Sequence, residues 1–363
     1  MRLERRTQPS AAALLLAPLG AVAVTLALAG LLVLWAGAPV GRTYAAIFQG
    51  AFGSVFALSE TLTRAVPLIL TGLAATVAFK ARLFNIGAEG QLYGGALAAV
   101  AVGSSMSESG LLSSVALMFP LMLLASAVAG ALLLLGPALL KARLGVDEVV
   151  TTLLLNFIVL LGVGALLDGP MKDPAAMGWP QSVGLPASLE LSKLLDGTRL
   201  HSGLLIAVLL AVGLWALFRF SVLGFAIRAT GANARAAAFA GVPPLRTTVV
   251  VALLSGGLAG LAGAVEVAGR TGYVTLDMSP GYGYSGIVIA MLAGLHPLGV
   301  LAAALFVAGV LVGADSMSRA VGVPTYIADV IVAIALLSVL VATLLAQYRL
   351  RRSPRALMKS VPA

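Results

Sequence analysis

The stretch Phe84-Asn85-Ile86-Gly87-Ala88-Glu89-Gly90-Gln91 separates two long apolar segments with three polar side chains and two glycines. An unpaired polar group costs several kcal/mol in hydrocarbon, where no water can satisfy it. Such a stretch is stable in a membrane protein only if it is buried in protein, lines a water-filled path or lies at the membrane surface. It is therefore the strongest indication of transport in the sequence.

The composition indicates an integral membrane protein. Of the 363 residues, 60% are hydrophobic and 10% are charged, whereas a soluble domain carries about 25% charged residues. The net charge of +9 is better explained by basic loops on the cytoplasmic side of a membrane than by nucleic-acid binding. Cysteine is absent, which excludes disulfides.

The distribution of apolar segments predicts an all-α, polytopic transmembrane helix bundle. A crossing helix needs about 20 residues, and the approximate spans are 11–37, 60–79, 88–104, 115–140, 149–167, 201–218, 247–268, 282–295, 298–314 and 325–346. Residues 1–10 are then a cytoplasmic N-terminal segment, 11–346 one transmembrane domain, and 347–363 a basic cytoplasmic tail. The segment 282–295 is short and is predicted as a broken or re-entrant helix.

Charge placement supports about ten crossings with both termini cytoplasmic. With that topology, sixteen of the lysines and arginines lie inside and seven lie outside, which agrees with the positive-inside rule. The largest external loop, 168–200, contains four prolines and Trp179. It is either the surface on which an extracytoplasmic partner docks or a solvated connector.

Ionisable residues at membrane depth are treated as functional candidates because burying them is costly. Glu60 and Asp329 lie near predicted helix starts, where a carboxylate complements the helix dipole. Glu148 follows Asp147 at the start of the fifth span, where N-capping explains both residues. Glu266 lies near an outer helix end and is expected to reach water.

Two polar residues, Glu89 and Asn156, have two interpretations each. Glu89, beside Gly87 and Gly90, either bonds neighbouring helix ends as a structural hub or lines a cavity. Asn156 either makes an inter-helix hydrogen bond or contacts a transported substrate. The residues predicted to border a substrate path are Asn85, Glu89, Gln91 and Asn156.

The loop 224–243, which follows the sixth span on the cytoplasmic side, predicts a short helix. Residues 234–240 are strong helix formers. Gly231 and Asn233 indicate a turn before this run, and Gly241-Val242-Pro243 ends it.

This alanine-rich helix presents Arg235 and Phe239 on one face, at positions i and i+4. A compact helix of this kind suits insertion into a groove on another protein. The alternative is a helix that lies on lipid headgroups, but alanine is a poor membrane anchor. We therefore expect a protein partner.

These features together resemble the inner-membrane permeases of ABC importers of the branched-chain amino acid, simple sugar and nucleoside type. The resemblance covers about residues 60–346. The matching segments are Phe84–Gln91, Asp147–Thr152 with Asn156, Arg228–Gly241, and Ile287–Gly294 with Gly299. The octet is most similar to that of the longer permease of nucleoside (guanosine-type) uptake systems. His296-Pro297-Leu298 departs from the pattern, where a small Gly/Ser-rich turn is expected.

The resemblance implies a function and a set of partners. The chain would be the permease subunit that moves nucleosides across the inner membrane, while a separate ABC ATPase, often with two fused nucleotide-binding domains, hydrolyses ATP. A second homologous permease and an extracytoplasmic binding protein or lipoprotein would complete the system. The loop residues that couple to the ATPase would be Arg228, Gly231, Asn233, Arg235, Ala236, Ala237 and Gly241.

Two alternatives remain at this stage. The same importer class carries simple sugars such as ribose or galactose, and composition does not separate sugars from nucleosides. An ion-coupled secondary transporter is the other alternative, although no two acidic residues pair convincingly at midplane. An enzyme is not expected, because the chain has no Walker lysine motif, no cysteine and no metal-ligand spacing. No cofactor or metal is predicted.

Overall fold

The computed structural model describes residues 2–5, 11–106, 113–322 and separate positions between 327 and 351. Twelve helices are defined within that part of the chain. They are α1 Ala11–Trp35, α2 Val40–Phe52, α3 Val55–Lys80, α4 Ala88–Gly103, α5 Val115–Leu144, α6 Glu148–Asp168, α7 Gly203–Phe220, α8 Val222–Ala232, α9 Ala234–Phe239, α10 Pro244–Glu266, α11 Tyr282–Leu292 and α12 Pro297–Val321.

The chain divides into two compact units. The first comprises residues 1–45 and 317–363, and the second comprises residues 46–316. Within the first unit, Arg2–Arg5 (β1) pairs antiparallel with Tyr348–Arg351 (β2), and Arg2 lies opposite Arg351. This ladder was not predicted. The rest of the regular structure in the described residues is helical, as expected.

Most of the predicted spans coincide with helices. Six of the described helices, α3, α5, α6, α7, α10 with its extension to Thr271, and α12, are long and apolar enough to cross a membrane. The predicted tenth span, 325–346, lies largely outside the described residues, as does Asp329. The prediction of a helical, polytopic membrane protein is confirmed, and the number of ten crossings stays a prediction.

Helices α3 and α10 form the centre of the second unit, where most of their residues are buried. The approach of α10 to its neighbours depends on glycine. A Cβ added at Gly256, Gly260 or Gly263 would overlap backbone atoms of α5 or α4. Small residues allow this approach in a bilayer, where van der Waals packing holds helices together. The outer helices α5, α6 and α7 instead expose many apolar side chains.

The predicted short segment 282–295 is an interrupted helix. Helix α11 has 11 residues and is about 16 Å long, too short for a hydrocarbon core of about 30 Å. The chain turns through Gly294 and Leu295, both with φ near +60°, and α12 starts with Pro297. Proline suits this first helical position because its missing N–H would be unpaired there. The unexpected His296-Pro297-Leu298 sequence therefore forms a helix start rather than a Gly/Ser-rich turn.

Basic residues lie at two opposite ends of the second unit. At one end, the α9 end, α3 finishes at Lys80, and the Lys141 ammonium contacts the Arg82 carbonyl. At the other end, the loop end, Arg199 lies 3.8 Å from Glu60. Lys80, Arg82 and Lys141, predicted to be cytoplasmic, thus lie at one end of the second unit, and Arg199, predicted to be external, lies at the other.

The predicted external loop, residues 169–202 in the structure, packs on the chain that follows α10. The Leu191 N–H donates to the Ala268 carbonyl at 2.8 Å, and the Leu185 N–H donates to the Gly272 carbonyl at 2.7 Å. A short 3₁₀ turn, Ala187–Leu189, buries Leu189. The loop therefore has an ordered inner surface that rests on the bundle.

Candidate functional site

The polar octet runs back into the bundle beside α6. The N–H groups of the non-helical residues 84–87 and of the first turn of α4 have no helical partner, and one face of α6 supplies acceptors. The Phe84 N–H donates to Glu148 Oε1 at 3.1 Å. The Ile86 N–H donates to Thr152 Oγ1 at 3.2 Å, and the Gly90 N–H donates to Asn156 Oδ1 at 2.8 Å. The three acceptor residues are spaced i, i+4 and i+8, which places them on one helical face.

Asn85 and Gln91 bond to each other through both ends of their amides. Asn85 Nδ2 donates to Gln91 Oε1 at 2.8 Å, and Gln91 Nε2 donates to Asn85 Oδ1 at 2.9 Å. Asn85 also receives the Gly87 N–H and donates to Ser255 Oγ, whose hydroxyl donates to the Ala74 carbonyl. Both amides are buried. This network ties the octet to α3 and α10.

Glu89 bonds the start of α11. Its Oε2 accepts from the Gly283 N–H at 2.6 Å, and the side chain is buried. A carboxylate at a helix N-terminus satisfies an unpaired N–H and complements the helix dipole. A Cβ at Gly283 would overlap the Glu89 backbone, so this contact depends on glycine at that position.

We define Asn85, Glu89, Gln91, Asn156 and Ser255 as the polar hub. The four predicted path residues all lie in it, are buried, and hydrogen-bond within the chain. The structural interpretation of Glu89 and Asn156 is therefore borne out for this subunit. The connection to the surface runs through Asn156 Nδ2, which donates to the hydroxyl of the partly exposed Tyr284 at 3.1 Å. A role on a substrate path stays a prediction.

Glu148 and Asp147 have different roles, although N-capping was predicted for both. Asp147 caps α6, with Oδ1 accepting from the Val149 N–H at 2.8 Å. Glu148 is buried and pairs with Lys141, and it also receives the Phe84 N–H. It connects the end of α5 to the start of the octet.

The predicted docking helix is present as α8 and α9. Asn233 caps α9, because its Oδ1 accepts from the N–H groups of Arg235 and Ala236 at 3.0 and 3.1 Å. Gly241, at φ +85°, follows its end. Arg235, Ala236 and Phe239 are exposed, and Phe239 is 99% exposed. Ala237 is buried and holds the helix to the protein.

Gly231 was predicted to mark a turn, and this was wrong. It lies in the last turn of α8, where its missing side chain allows close packing. A Cβ there would overlap the carbonyl oxygen of Lys80, the last residue of α3. The sequence could not show this contact, because the two residues are far apart along the chain. Arg228, one helical turn earlier, donates to the Phe218 carbonyl.

A cavity of about 360 Å³ lies behind the α8–α9 junction. It is lined by Arg82 and Lys141 on one side and by Gly231, Asn233 and Pro244 on the other. Two of the predicted coupling residues, Gly231 and Asn233, therefore lie near the turn that leads from α3 into the octet. One short segment, residues 81–83, separates the α8–α9 junction from the octet.

A second set of polar side chains, at the loop end, was not predicted as a site. Glu266 was expected to reach water, and this was wrong. It is 1% exposed and forms an ion pair with Arg270. Arg270 also donates to the Tyr282 hydroxyl at 3.3 Å, and Arg64 pairs with Asp315. We call Arg64, Glu266, Arg270, Tyr282 and Asp315 the loop-end cluster.

Part of this cluster was readable from the sequence. Glu266 and Arg270 have the i, i+4 spacing of a helical ion pair. Arg64 and Asp315 are separated by 251 residues, so their pairing follows from tertiary structure alone. Residues 267–271 form a π-helical turn, which no simple periodicity predicts.

Comparison with known proteins gives one consistent family. Residues 57–341 match the family described as branched-chain amino acid transport system / permease component. The guanosine ABC transporter permease protein NupP of Bacillus subtilis is 36% identical over 329 residues, which are 90% of this chain and 92% of that protein.

Two further relatives cover most of the chain. The glucose ABC transporter permease protein TsgB13 of Haloferax volcanii is 39% identical over 84% of this chain and 82% of its own length. The nucleoside ABC transporter permease protein NupB of Lactococcus lactis is 34% identical over 80% of each chain.

Proposed function

This chain belongs to the permease-component family of branched-chain amino acid transport systems, and we propose that it forms the membrane path of an ATP-driven importer for nucleosides. It is an ABC transporter permease subunit of the inner membrane and not an enzyme, since a separate subunit hydrolyses ATP. Because the chain belongs to this family, the alternative of an ion-coupled secondary transporter is set aside. An ATPase and an extracytoplasmic binding protein are the partners of this class.

One observation carries the proposal: the exposed, capped helix α9 directly follows α8, and Gly231 of α8 packs against the end of α3, where the chain turns into the octet. Helix α9 presents Ala236 and Phe239 outward, as a ridge for a groove on the ATPase requires. Behind it, Gly231 touches the end of α3. A displacement of α9 by the ATPase would move residues 81–83 and, with them, the octet. Arg228, Gly231, Asn233, Arg235, Ala236, Ala237 and Gly241 make up this coupling element.

Nucleosides are the proposed cargo because two of the relatives are named for guanosine and nucleosides. The relative named for glucose keeps a simple sugar, such as ribose or galactose, as the second candidate. Both classes are neutral and carry neighbouring hydroxyl groups. A path for either must offer hydrogen bonds that release the cargo again, since tight binding would stop transport.

The path is proposed to run beside the hub. Asn85, Glu89, Gln91 and Asn156 border it from behind, and the partly exposed Tyr284 is the hub contact nearest to it. Satisfied amides keep this wall in one shape while the cargo passes. The hub thereby positions the start of α11, an interrupted helix of the kind that forms binding sites in transporters.

The topology is proposed to have ten crossings, with both termini and the α9 end in the cytoplasm. The β1–β2 ladder supports an even number of crossings, since it brings both ends of the chain together. The segregation of basic residues to the two ends supports the orientation. A second homologous permease is the proposed partner within the membrane. The ATPase is proposed to carry two fused nucleotide-binding domains.

Uptake of labelled nucleosides tests the cargo. In cells that lack this chain, guanosine uptake is expected to fall to background, while uptake of ribose and galactose stays normal. Re-expression of the wild-type chain restores guanosine uptake. If sugar uptake collapses while guanosine uptake is unchanged, the second candidate replaces the first.

A substitution on α9 tests the docking role. Ala236→Glu places a charge on the exposed ridge without disturbing the buried Ala237, and it is expected to reduce ATP-driven uptake by at least about tenfold, as for the loss of an interface anchor. Ala236→Ser is the matched small, uncharged control and should leave uptake near normal. Full uptake by the Ala236→Glu complex would contradict the role of α9.

A further inference from the structure

The loop-end cluster contains a buried acid, Glu266, of which only one carboxylate oxygen has a partner. Glu266 Oε1 pairs with Arg270, while Glu266 Oε2 is fully enclosed and accepts no hydrogen bond within the described residues. Burial of an unsatisfied carboxylate oxygen is expensive. Nearby, Glu60 Oε1 is also enclosed without a partner. Two buried carboxylate oxygens at this end of the bundle therefore lack a hydrogen-bond donor within the described residues.

The backbone around the acid is also unusual. Helix α10 ends at Glu266 and continues as a π-helical turn over residues 267–271. Turns of this type are rare and occur frequently at functional sites. Here the turn carries Arg270, so that its guanidinium contacts both Glu266 and the Tyr282 hydroxyl at the start of α11. The cluster thus joins α10 to the interrupted helix.

The cluster extends from the buried acid toward the surface. The Asp315 and Arg64 side chains are 37% and 21% exposed, whereas Glu266 is 1% exposed. The Arg64–Asp315 pair and the Glu266–Arg270 pair each join one carboxylate to one guanidinium. Two carboxylates and two guanidiniums leave no net charge in this group. A neutral, polar ligand fits such a site better than an ion.

Acceptors and donors stand side by side in the cluster. A ligand with two hydroxyls on neighbouring carbons can donate one O–H to a carboxylate oxygen, while a hydroxyl oxygen accepts from a guanidinium. We propose that the loop-end cluster is a subsite for the vicinal diol of the cargo sugar, with Glu266 as acceptor and Arg270 as donor. This inference rests on the proposed function, because that function supplies a cargo with such a diol.

The subsite lies at the loop end and shares no residue with the polar hub, although Tyr282 of the cluster and Gly283, which contacts Glu89, are neighbours at the start of α11. A cargo delivered from outside would meet it first, and the sugar rather than the base would be read there. The same chemistry would serve ribose in a nucleoside and a hexose. The base is then not required for recognition at this position.

The test compares guanosine with 2′,3′-dideoxyguanosine, which lacks both hydroxyls. The complete complex, with its ATPase and binding protein, is reconstituted in proteoliposomes, and kcat/KM for uptake is measured for each compound. The ratio of the two values is independent of the amount of folded complex. The preference of the binding protein cancels when a variant is compared with wild type.

Glu266→Gln is expected to lower the ratio of guanosine to dideoxyguanosine uptake by at least about tenfold, as for loss of a hydrogen bond to a charged group. Tyr282→Phe, which removes one hydroxyl next to Arg270, is expected to lower it by about threefold and serves if the first variant fails to assemble. Asp196→Asn, at an exposed acid of the same loop, should leave the ratio unchanged.

The outcomes separate this inference from the proposed function. If either cluster variant slows both compounds by the same factor, the cluster is a structural ion-pair network and the inference is wrong. If the wild-type complex carries no guanosine, the nucleoside proposal fails instead. The diol inference is then tested in the same way with glucose and 3-deoxyglucose.

Discussion

The polar hub and the loop-end cluster are both buried polar networks. They differ in charge and in how completely their polar atoms are hydrogen-bonded. Four of the five hub residues are neutral, and the described hub amides pair closely with other groups of the chain. The cluster consists mainly of charged groups and leaves one oxygen of Glu266 without a partner. Polarity at membrane depth is therefore not by itself a sign of binding.

The difference teaches how to separate the two roles. A fully satisfied network gains nothing from a ligand, so its residues act by holding the backbone. A network with an enclosed, unpaired acceptor is stabilised by a ligand that donates to it. Substitutions should therefore affect folding in the hub and cargo selectivity in the cluster.

The largest effect is expected for Asn85→Leu in the hub. The substitution leaves the Gly87 N–H and the Gln91 amide without their Asn85 partner, and the Ser255 hydroxyl keeps only its bond to the Ala74 carbonyl. At about 1–3 kcal/mol for each unsatisfied group, little folded protein should remain. Thermal unfolding in detergent, followed by size-exclusion chromatography, measures the loss. Near-normal stability would show that the hub does not hold the helices together.

Gly231→Val tests the link between α9 and the hub. The added side chain would overlap the end of α3 and is expected to reduce uptake about tenfold while the ATPase still hydrolyses ATP, which is the signature of uncoupling. Gly136→Val is the matched control, since a Cβ at that helical glycine meets no neighbouring atom. Equal effects of the two substitutions would contradict a specific coupling contact.

The buried His201 at the loop end is expected to make the stability of the protein sensitive to acid. It precedes α7, is buried, and its Nδ1 accepts from the Gly203 N–H at 3.2 Å. Burial lowers the pKa of His201 from 6.5 to about 4, so the neutral ring is favoured in the folded state. The contribution of the neutral His201 ring to the free energy of unfolding is complete above pH 6.5. It is lost as the pH falls from 6.5 to 4, by up to about 3 kcal/mol.

The unfolding midpoint as a function of pH measures this contribution. His201→Gln should flatten the dependence between pH 6.5 and 4. The exposed His296 provides the control, because His296→Gln should leave the dependence unchanged. An unchanged slope in His201→Gln would show that other groups cause the acid sensitivity.

The smallest effect is expected at the rim of the cluster. Arg199 and Glu60 lie 3.8 Å apart, and the Arg199 side chain is 66% exposed. Exposed pairs contribute about 0–1 kcal/mol, so Arg199→Gln should shift stability by less than about 1 kcal/mol. A loss as large as that of Asn85→Leu would contradict the distinction between this exposed ion pair and the buried polar groups.

Several features of the site were predictable because they are local. The octet was identified from polar residues and glycines within an apolar context, and the docking helix was identified from an alanine run between helix-breaking residues. Asn233 was placed correctly next to the start of that helix, and its capping role fits its residue type. Gly231 was misread, because glycine at a turn and glycine at a close contact look alike in sequence.

The sequence by itself determined that this protein is a helical membrane protein with a polar interruption and a short alanine-rich helix. Hydrophobic length and residue preference act within a few helical turns, so they can be read along the chain. Tertiary structure alone decided that Asn156 and Glu148 serve the octet, that Gly231 meets Lys80, and that Arg64 meets Asp315. Those contacts join residues that are distant in sequence, and their hydrogen bonds depend on where the helices pack.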